Sequence, residues 1–166
     1  MYLTKLNRIG GDDYKVHQYV RSIFEGEQRV LFHVTDSEII VISENKSNNV
    51  VSEEIDLNGY KDKICNFCIR INPCKRDAKT HKIIAIELAN VKSWLKKKFT
   101  ENGIEANFQY IPEGIRRSKK GCQKISIFSV LCFGSFKVLN FDLFEKAINN
   151  GIGREKGLGF GMLNIF

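Results

Sequence analysis

The sequence predicts an α+β protein made of two tandem ferredoxin-like (RRM-like) β-α-β-β-α-β folds. Three observations carry that expectation. Short runs alternate apolar and polar residues at period two, and between them apolar residues recur at helical spacing. The order strand, helix, strand, strand, helix, strand is read once in the first half and again in the second. Glycine and polar clusters punctuate the runs at the expected ends. The spacing divides the chain into a first unit over 1–78 and a second over 79–166.

YLTKLNRI (2–9) alternates as a half-buried strand does. A Gly-Gly turn and Asp12-Asp13 then offer a helix cap, and Val16, Val20, Ile23 and Phe24 form one core-facing stripe. Gly26 is a stop signal. RVLFHV (29–34) and EIIVIS (38–43) read as strands joined by Thr35-Asp36-Ser37, a hairpin. Residues 44–63 are polar and hold at most one short helix, the weakest part of the pattern. FCIRI (67–71) closes the first unit as a strand.

KIIAIEL (82–88) opens the second unit as a strand. Asn90 caps a helix with Val91, Trp94, Leu95 and Phe99 as its apolar stripe, and Gly103 ends it. Strands follow over 106–116 and 123–139, the latter long enough to bend or break at Gly134. Asp142 begins a helix carrying Phe144, Ala147 and Ile148, and a glycine-rich loop leads to a last strand over 161–166.

The 166 residues carry 26 Lys and Arg against 19 Asp and Glu, a formal charge of +7 that points to a polyanionic partner. The cations cluster as Lys75, Arg76, Lys79 and Lys82, as Lys92, Lys96, Lys97 and Lys98, and as Arg116, Arg117, Lys119, Lys120 and Lys124. The N-terminus lacks the apolar run of a secretory signal, and no run is long enough to span a membrane. Five cysteines without disulfide-scaffold spacing fit a reduced, cytoplasmic protein. Cys65 and Cys68 have C-x-x-C spacing, but on a strand residues three apart face opposite sides, so no metal or other cofactor is expected.

Two constellations carry chemistry. In GIGREKGLGFGMLNIF (151–166), five glycines fall within eleven residues around Arg154, Glu155 and Lys156. The spacing is neither that of a Walker loop nor of a dinucleotide site, and it matches the RRM octapeptide weakly. Glycines there serve either close approach of backbone amides to phosphate or tight packing of a helix-to-strand connection. In DDYKVHQYVR (12–21), Tyr14, His17 and Arg21 share a polar helix face distinct from the core stripe. A histidine can move a proton near neutral pH, a tyrosine can orient an oxygen, and an arginine can hold phosphate. An exposed face of unrelated polar residues is the bland reading of the same stripe.

Taken together, the N-terminal M-x-L-T-K-L strand, Tyr14-x-x-His17, the N-P-x-K-R segment within RINPCKRDAKTHK (70–82), the helix around Trp94-Leu95 and the G-I-G-x-x-K-G-x-G-x-G-x-L ending resemble the CRISPR repeat-processing endoribonuclease of Cascade, the CasE family. The resemblance implies two ferredoxin-like folds and a basic cleft that binds the stem-loop of a CRISPR repeat transcript. It implies a metal-independent cut at the base of the stem, leaving 2′,3′-cyclic phosphate and 5′-hydroxyl ends, with the guide RNA retained by a Cascade subunit. It makes Tyr14 and His17 the catalytic pair. RNA contacts would come from Arg21, Lys75, Arg76, Lys92, Lys96, Lys97, Arg116, Arg117, Lys119 and Lys120, and from Gly151, Gly153, Arg154 and Lys156 in the ending. DNA would not be a substrate. Gln18 stands where some members have an arginine. A non-catalytic RNA hairpin-binding protein is the alternative expectation.

Overall fold

The computed structural model describes residues 1–26 and 29–166. Two four-stranded antiparallel sheets organise the chain. The first is built from β1 (Tyr2–Asn7), β2 (Val30–Val34), β3 (Glu38–Ser43) and β4 (Glu53–Glu54) in the order β2-β3-β1-β4, with α1 (Asp13–Ile23) crossing from β1 to β2. Asp12 caps α1 by accepting from the Lys15 N–H at 3.0 Å. Val16 and Val20 of that helix and Phe24 at its C-cap pack on Leu6, Phe32, Val34, Ile39 and Val41. β3 is apolar on both faces for a reason: Ile39 and Val41 meet α1, while Ile40 and Ile42 join the core on the other side. A strand covered on both faces needs no polar phase.

The second sheet comprises β5 (Ile64–Ile71), β8 (Ile104–Lys120), β9 (Gln123–Val138) and β10 (Asn164–Ile165) in the order β10-β5-β9-β8. Between β5 and β8 lie β6 (Cys74–Arg76), β7 (Ile83–Ala85) and α2 (Leu88–Glu101); α3 (Phe141–Asn150) follows β9. Phe67, Ile69 and Ile71 of β5 face Val91, Leu95 and Phe99 of α2 and Phe144, Ala147 and Ile148 of α3 in the larger of two apolar clusters. Both sheets have the strand order of a ferredoxin-like fold, as expected.

Several element assignments change. Strand 64–71, placed in the first unit from the sequence, pairs with β9 and β10 and is the first strand of the second sheet. The sheets therefore part between β4 and β5 and not at residue 78. Of the run 82–88 only Ile83–Ala85 is a strand, and it pairs with β6 in a separate two-stranded sheet instead of joining either four-stranded one. Ile83 and Ile84 stay exposed, so the run is apolar without being core. No helix forms between β3 and β4, and the 3₁₀ turn Leu57–Tyr60 comes after β4. α2 begins before Asn90 with Glu87 at its N-cap, and Asn140 caps α3 ahead of Asp142. β9 runs unbroken through Gly134, whose φ is +159°. A Cβ there would collide with the Asn107 carbonyl and sit 2.8 Å from Phe108 Cα, so glycine admits the close approach of β8.

Where the two sheets meet, Arg70 of β5 carries the junction. Its Nη1 donates to the Val34 carbonyl at 3.1 Å, and its Nε and Nη2 donate to Glu113 at 2.8 and 3.0 Å. Ser129 also donates to Glu113. His33 of β2 lies beside this group, with Nε2 at 3.7 Å from Cys68 Sγ, and its Nδ1 is buried without a hydrogen-bond partner among the described residues. Cys65 packs against the large apolar cluster while Cys68 faces His33, so the two thiols do point to opposite sides. Among the described residues no helix is long and apolar enough to cross a membrane.

Burial, reinforced by Arg70, pushes His33 down to about 4. The unfolded chain takes up this proton below about pH 6.5, the folded one only near 4, so the stabilising contribution is full above 6.5 and is lost as pH falls toward 4. Denaturant titrations should show stability declining by up to roughly 3 kcal/mol over that interval. His33→Gln should flatten the decline whatever it does to stability at pH 7.

Candidate active site

The N-terminal half of α1 positions Tyr14 and His17. Val16 and Val20 are fixed in the core, which turns Tyr14 and His17 to the flank of the helix, where both are half-buried. Their ring centroids are 5.9 Å apart with planes inclined by 30°. The glycine-rich loop returns to the same place. Its 3₁₀ turn, Lys156–Leu158, packs on α1 and β2, and a Cβ on Gly157 would lie 3.6 Å from His17 Cε1.

His17, Arg21, Arg29, Asn150, Lys156 and Gly157 line one open cavity of about 820 Å³. Burial depresses the proton affinity of His17, Arg21 and Lys120 depress it further, and hydrogen bonding to the Gly157 backbone opposes them. Burial and then Arg29 likewise lower the Lys156 ammonium from its ordinary value. The result is a neutral imidazole at pH 7 inside a ring of cations. That arrangement suits an incoming phosphate, with a proton acceptor already in place.

The candidate site residues divide over several surfaces. Tyr14, His17, Arg21 and Lys156 gather at or beside the cavity, and Lys120 is close enough to act on His17. Lys75, Arg76, Lys97 and Arg154 meet in a separate groove of about 460 Å³, together with Trp94 and Lys98. Gly151 and Gly153 border that groove, so the glycine loop has one end there and its Lys156-Gly157 turn at His17. Lys96 lines a third depression with Ile64 and Leu139, and Lys92 is exposed on α2. Arg117 and Lys119 are exposed on the distal part of β8. Arg116 differs from its expected role as a free cation: its guanidinium forms a two-pronged pair with Asp13.

Both uses foreseen for the glycines occur. Gly159 has φ +81°, and a Cβ there would be 2.8 Å from Phe32, so it serves packing. Gly153 and Gly157 border the groove and the cavity instead. Among the lining residues that escaped the sequence reading, three stand out. Arg29 and Asn150 flank the His17 cavity, and Trp94 was assigned wholly to the core stripe. Asn150 ends α3 immediately before the glycine loop, which is the one local signal that marked it. Among the described residues no group of His, Cys, Asp or Glu is placed to hold a metal ion.

The lowered affinity of His17 makes a direct prediction. Its imidazole resonance should titrate below 6.5, the ordinary value, and Lys120→Gln should move the midpoint up. With three histidines in the chain, His17→Ala assigns the signal in a proton NMR titration.

The family model described as CRISPR associated protein matches residues 4–166. Among curated proteins no relative matches. Among solved structures, CRISPR endoribonuclease Cse3 bound to a 19-nucleotide RNA is 20% identical with a TM-score of 0.84, covering 100% of both chains. The CRISPR-associated protein Cas6e from Escherichia coli K-12 is 21% identical with a TM-score of 0.79, covering 99% of this chain and 98% of its own. A chain of E. coli Cascade bound to a PAM-containing double-stranded DNA target is 19% identical with a TM-score of 0.62, covering 99% and 98%. The chain belongs to the CRISPR associated protein family, and it has the fold of the Cse3 and Cas6e endoribonuclease structures.

Proposed function

We propose that this protein is a metal-independent endoribonuclease that cuts CRISPR repeat transcripts at the base of a hairpin to make guide RNA. The observation that carries the reading is the meeting of His17, with Tyr14 beside it, and the glycine turn at one cation-rimmed cavity. The fold shared with an RNA-bound Cse3 and with Cas6e supports the substrate class.

In this reading the ribose 2′-oxygen attacks the adjacent phosphorus. The O2′–P bond forms, the P–O5′ bond breaks, and the 2′-hydroxyl proton leaves as the 5′-oxygen gains one. The products are a 2′,3′-cyclic phosphate and a 5′-hydroxyl. His17 serves one of the two proton transfers, and Tyr14 orients the attacking sugar or the phosphate. Arg21, Arg29 and Lys156 hold the phosphate and offset the charge that builds on it. These fixed cations perform the charge compensation that many nucleases assign to a metal. DNA lacks the nucleophile and is not cut. Duplex RNA is gripped largely through backbone charge, by Arg117, Lys119 and Lys120 on the hairpin arm and by Lys75, Arg76, Lys97 and Arg154 in the groove. Lys92 and Lys96 extend the basic surface along α2. The cut RNA stays bound, and the protein acts as a Cascade subunit in the cytoplasm, in keeping with its likeness to a Cascade chain.

Incubation of the protein with a hairpin repeat RNA in EDTA should give a single cut ending in cyclic phosphate. His17→Ala should bind within about twofold of wild type and cut at least ~100-fold more slowly. A 2′-deoxy substitution at the nucleotide before the cut should abolish cleavage. A wild-type protein that binds the hairpin but never cuts leaves the non-catalytic hairpin binder as the function.

Trp94 is the one tryptophan in the chain and lines the basic groove. Stoichiometric RNA hairpin should therefore change the intrinsic tryptophan emission. Unaltered emission at saturation would place the RNA away from Lys75, Arg76 and Arg154.

A further inference from the structure

Among the described residues the distal part of the β8–β9 hairpin has no third strand. β5 stops pairing with β9 at Ile71 and Val130, whereas β8 and β9 continue together to Lys120 and Gln123. The extension starts at an irregularity in register between Pro112 and Gly114. A bulge bends a strand pair, and a two-stranded ribbon alone is marginally stable. Something else must fix the direction of this arm.

The first turn of α1 does so. Asp13, 6% exposed, takes both Nε and Nη2 of Arg116. Asp12 divides its carboxylate: Oδ1 caps α1 through the Lys15 N–H, and Oδ2 accepts the Lys119 N–H at 3.0 Å. Ser118, on the same face of the strand as Arg116, is 4% exposed. The arm thus lies against the helix that carries Tyr14 and His17, one and four residues beyond Asp13. Past the contact the arm ends in Lys119 and Lys120.

We propose that the Asp13–Arg116 pair and the Asp12–Lys119 bond are positioning contacts, locking the basic arm to the first helix so that an RNA duplex gripped by the arm presents its phosphate to His17. The proposal rests on the endoribonuclease reading above and adds to it residues that act through His17 without touching RNA. It assigns Arg116 a role other than phosphate binding. A bidentate guanidinium–carboxylate pair has defined geometry as well as energy, which is what a positioning contact requires. Its effect belongs in the rate of the bound complex, because small misplacement of a reacting group costs far more in rate than in affinity.

The test compares wild type, Asp13→Asn, Arg116→Gln and the double variant. Each is measured for hairpin RNA affinity over a salt series and for single-turnover cleavage at saturating RNA. Each single variant should keep its dissociation constant within about threefold and lose ~10- to 100-fold in saturated rate. The double variant should be no slower than the slower single, since both remove one contact. An Arg116→Gln protein with weakened binding, a salt slope smaller by about one and a wild-type saturated rate would make Arg116 a phosphate contact and overturn the proposal. Wild-type rates in both singles, or multiplicative losses in the double, overturn it too. If the wild type binds hairpin RNA and never cuts, the enzymatic reading falls and the positioning role falls with it; if the wild type cuts, only the positioning role is at stake. Thermal melts monitor folding. Should Asp13→Asn fail to fold, Arg116→Gln decides, because it leaves the first turn of α1 unchanged.

Discussion

The fork of Arg70 is the constraint on which the rest depends. One guanidinium holds a carbonyl of the first sheet and a carboxylate of the second, and so sets the two sheets relative to one another. Glu113 is held below its ordinary value although burial alone would raise it, because Arg70 and Ser129 bond its charged form. A pair this poorly hydrated is no cheap source of stability; its geometry is what it contributes. Remove the guanidinium and the partly covered Glu113 carboxylate loses its two-pronged partner at the seam, beside the buried Nδ1 of His33, which has none among the described residues. The cavity at His17 draws on both sheets, with α1 and β2 from the first and the end of α3 with the glycine turn from the second. Fixing the seam therefore fixes the site.

How much of this was legible in the sequence follows from what each signal measures. The stripe Val16, Val20 and Phe24 is local, and it located both the helix and its opposite polar face correctly. Strand 67–71 was legible as a strand but not as a member of a particular sheet, because pairing is decided by partners some sixty residues away. The run 82–88 was legible as a strand at Ile83–Ala85 but not as an outlying one, because exposed Ile83 and Ile84 carry the same local pattern as core residues. The absent crossover helix was foreshadowed by the polar stretch 44–63, which has no apolar stripe to bury. Tyr14 and His17 stood out by spacing. Gly157 and Lys156 lie in the glycine motif that the sequence displays, whereas Arg29 and Asn150 arrive from other segments and carry no motif.

The glycine ending shows how one segment meets two demands. Gly159 is required by its contact with Phe32, a packing reason, while Gly157 leaves room for the imidazole. The turn can approach His17 because the chain on its far side is buried: Phe160, Met162 and Leu163 are at most 1% exposed. Charge on the loop is divided in the same way. Arg154 points to the groove beside Trp94 and Lys156 to the cavity, two residues apart on either side of the turn. A basic surplus counted along the chain cannot show this division, which is a property of the fold.

The electrostatics of the cavity make phosphate binding and proton transfer interdependent. Without an anion, Arg21 and Lys120 disfavour a further positive charge on His17, and burial disfavours it more. Lys156 is under the same strain from burial and from Arg29. A phosphate placed among these groups pairs with the cations and removes part of the penalty for protonating the imidazole. By linkage, whatever raises the proton affinity of His17 when the anion binds must also tighten the anion when His17 is protonated. In the proposed reaction the imidazole is thus neutral before phosphate arrives and binds a proton more readily once phosphate is seated. For the one proton transfer that the proposed reaction assigns to His17, arriving phosphate charge raises its proton affinity. In the proposed reaction Arg21 therefore couples phosphate binding to proton transfer, because it lines the cavity and also acts on the proton affinity of His17.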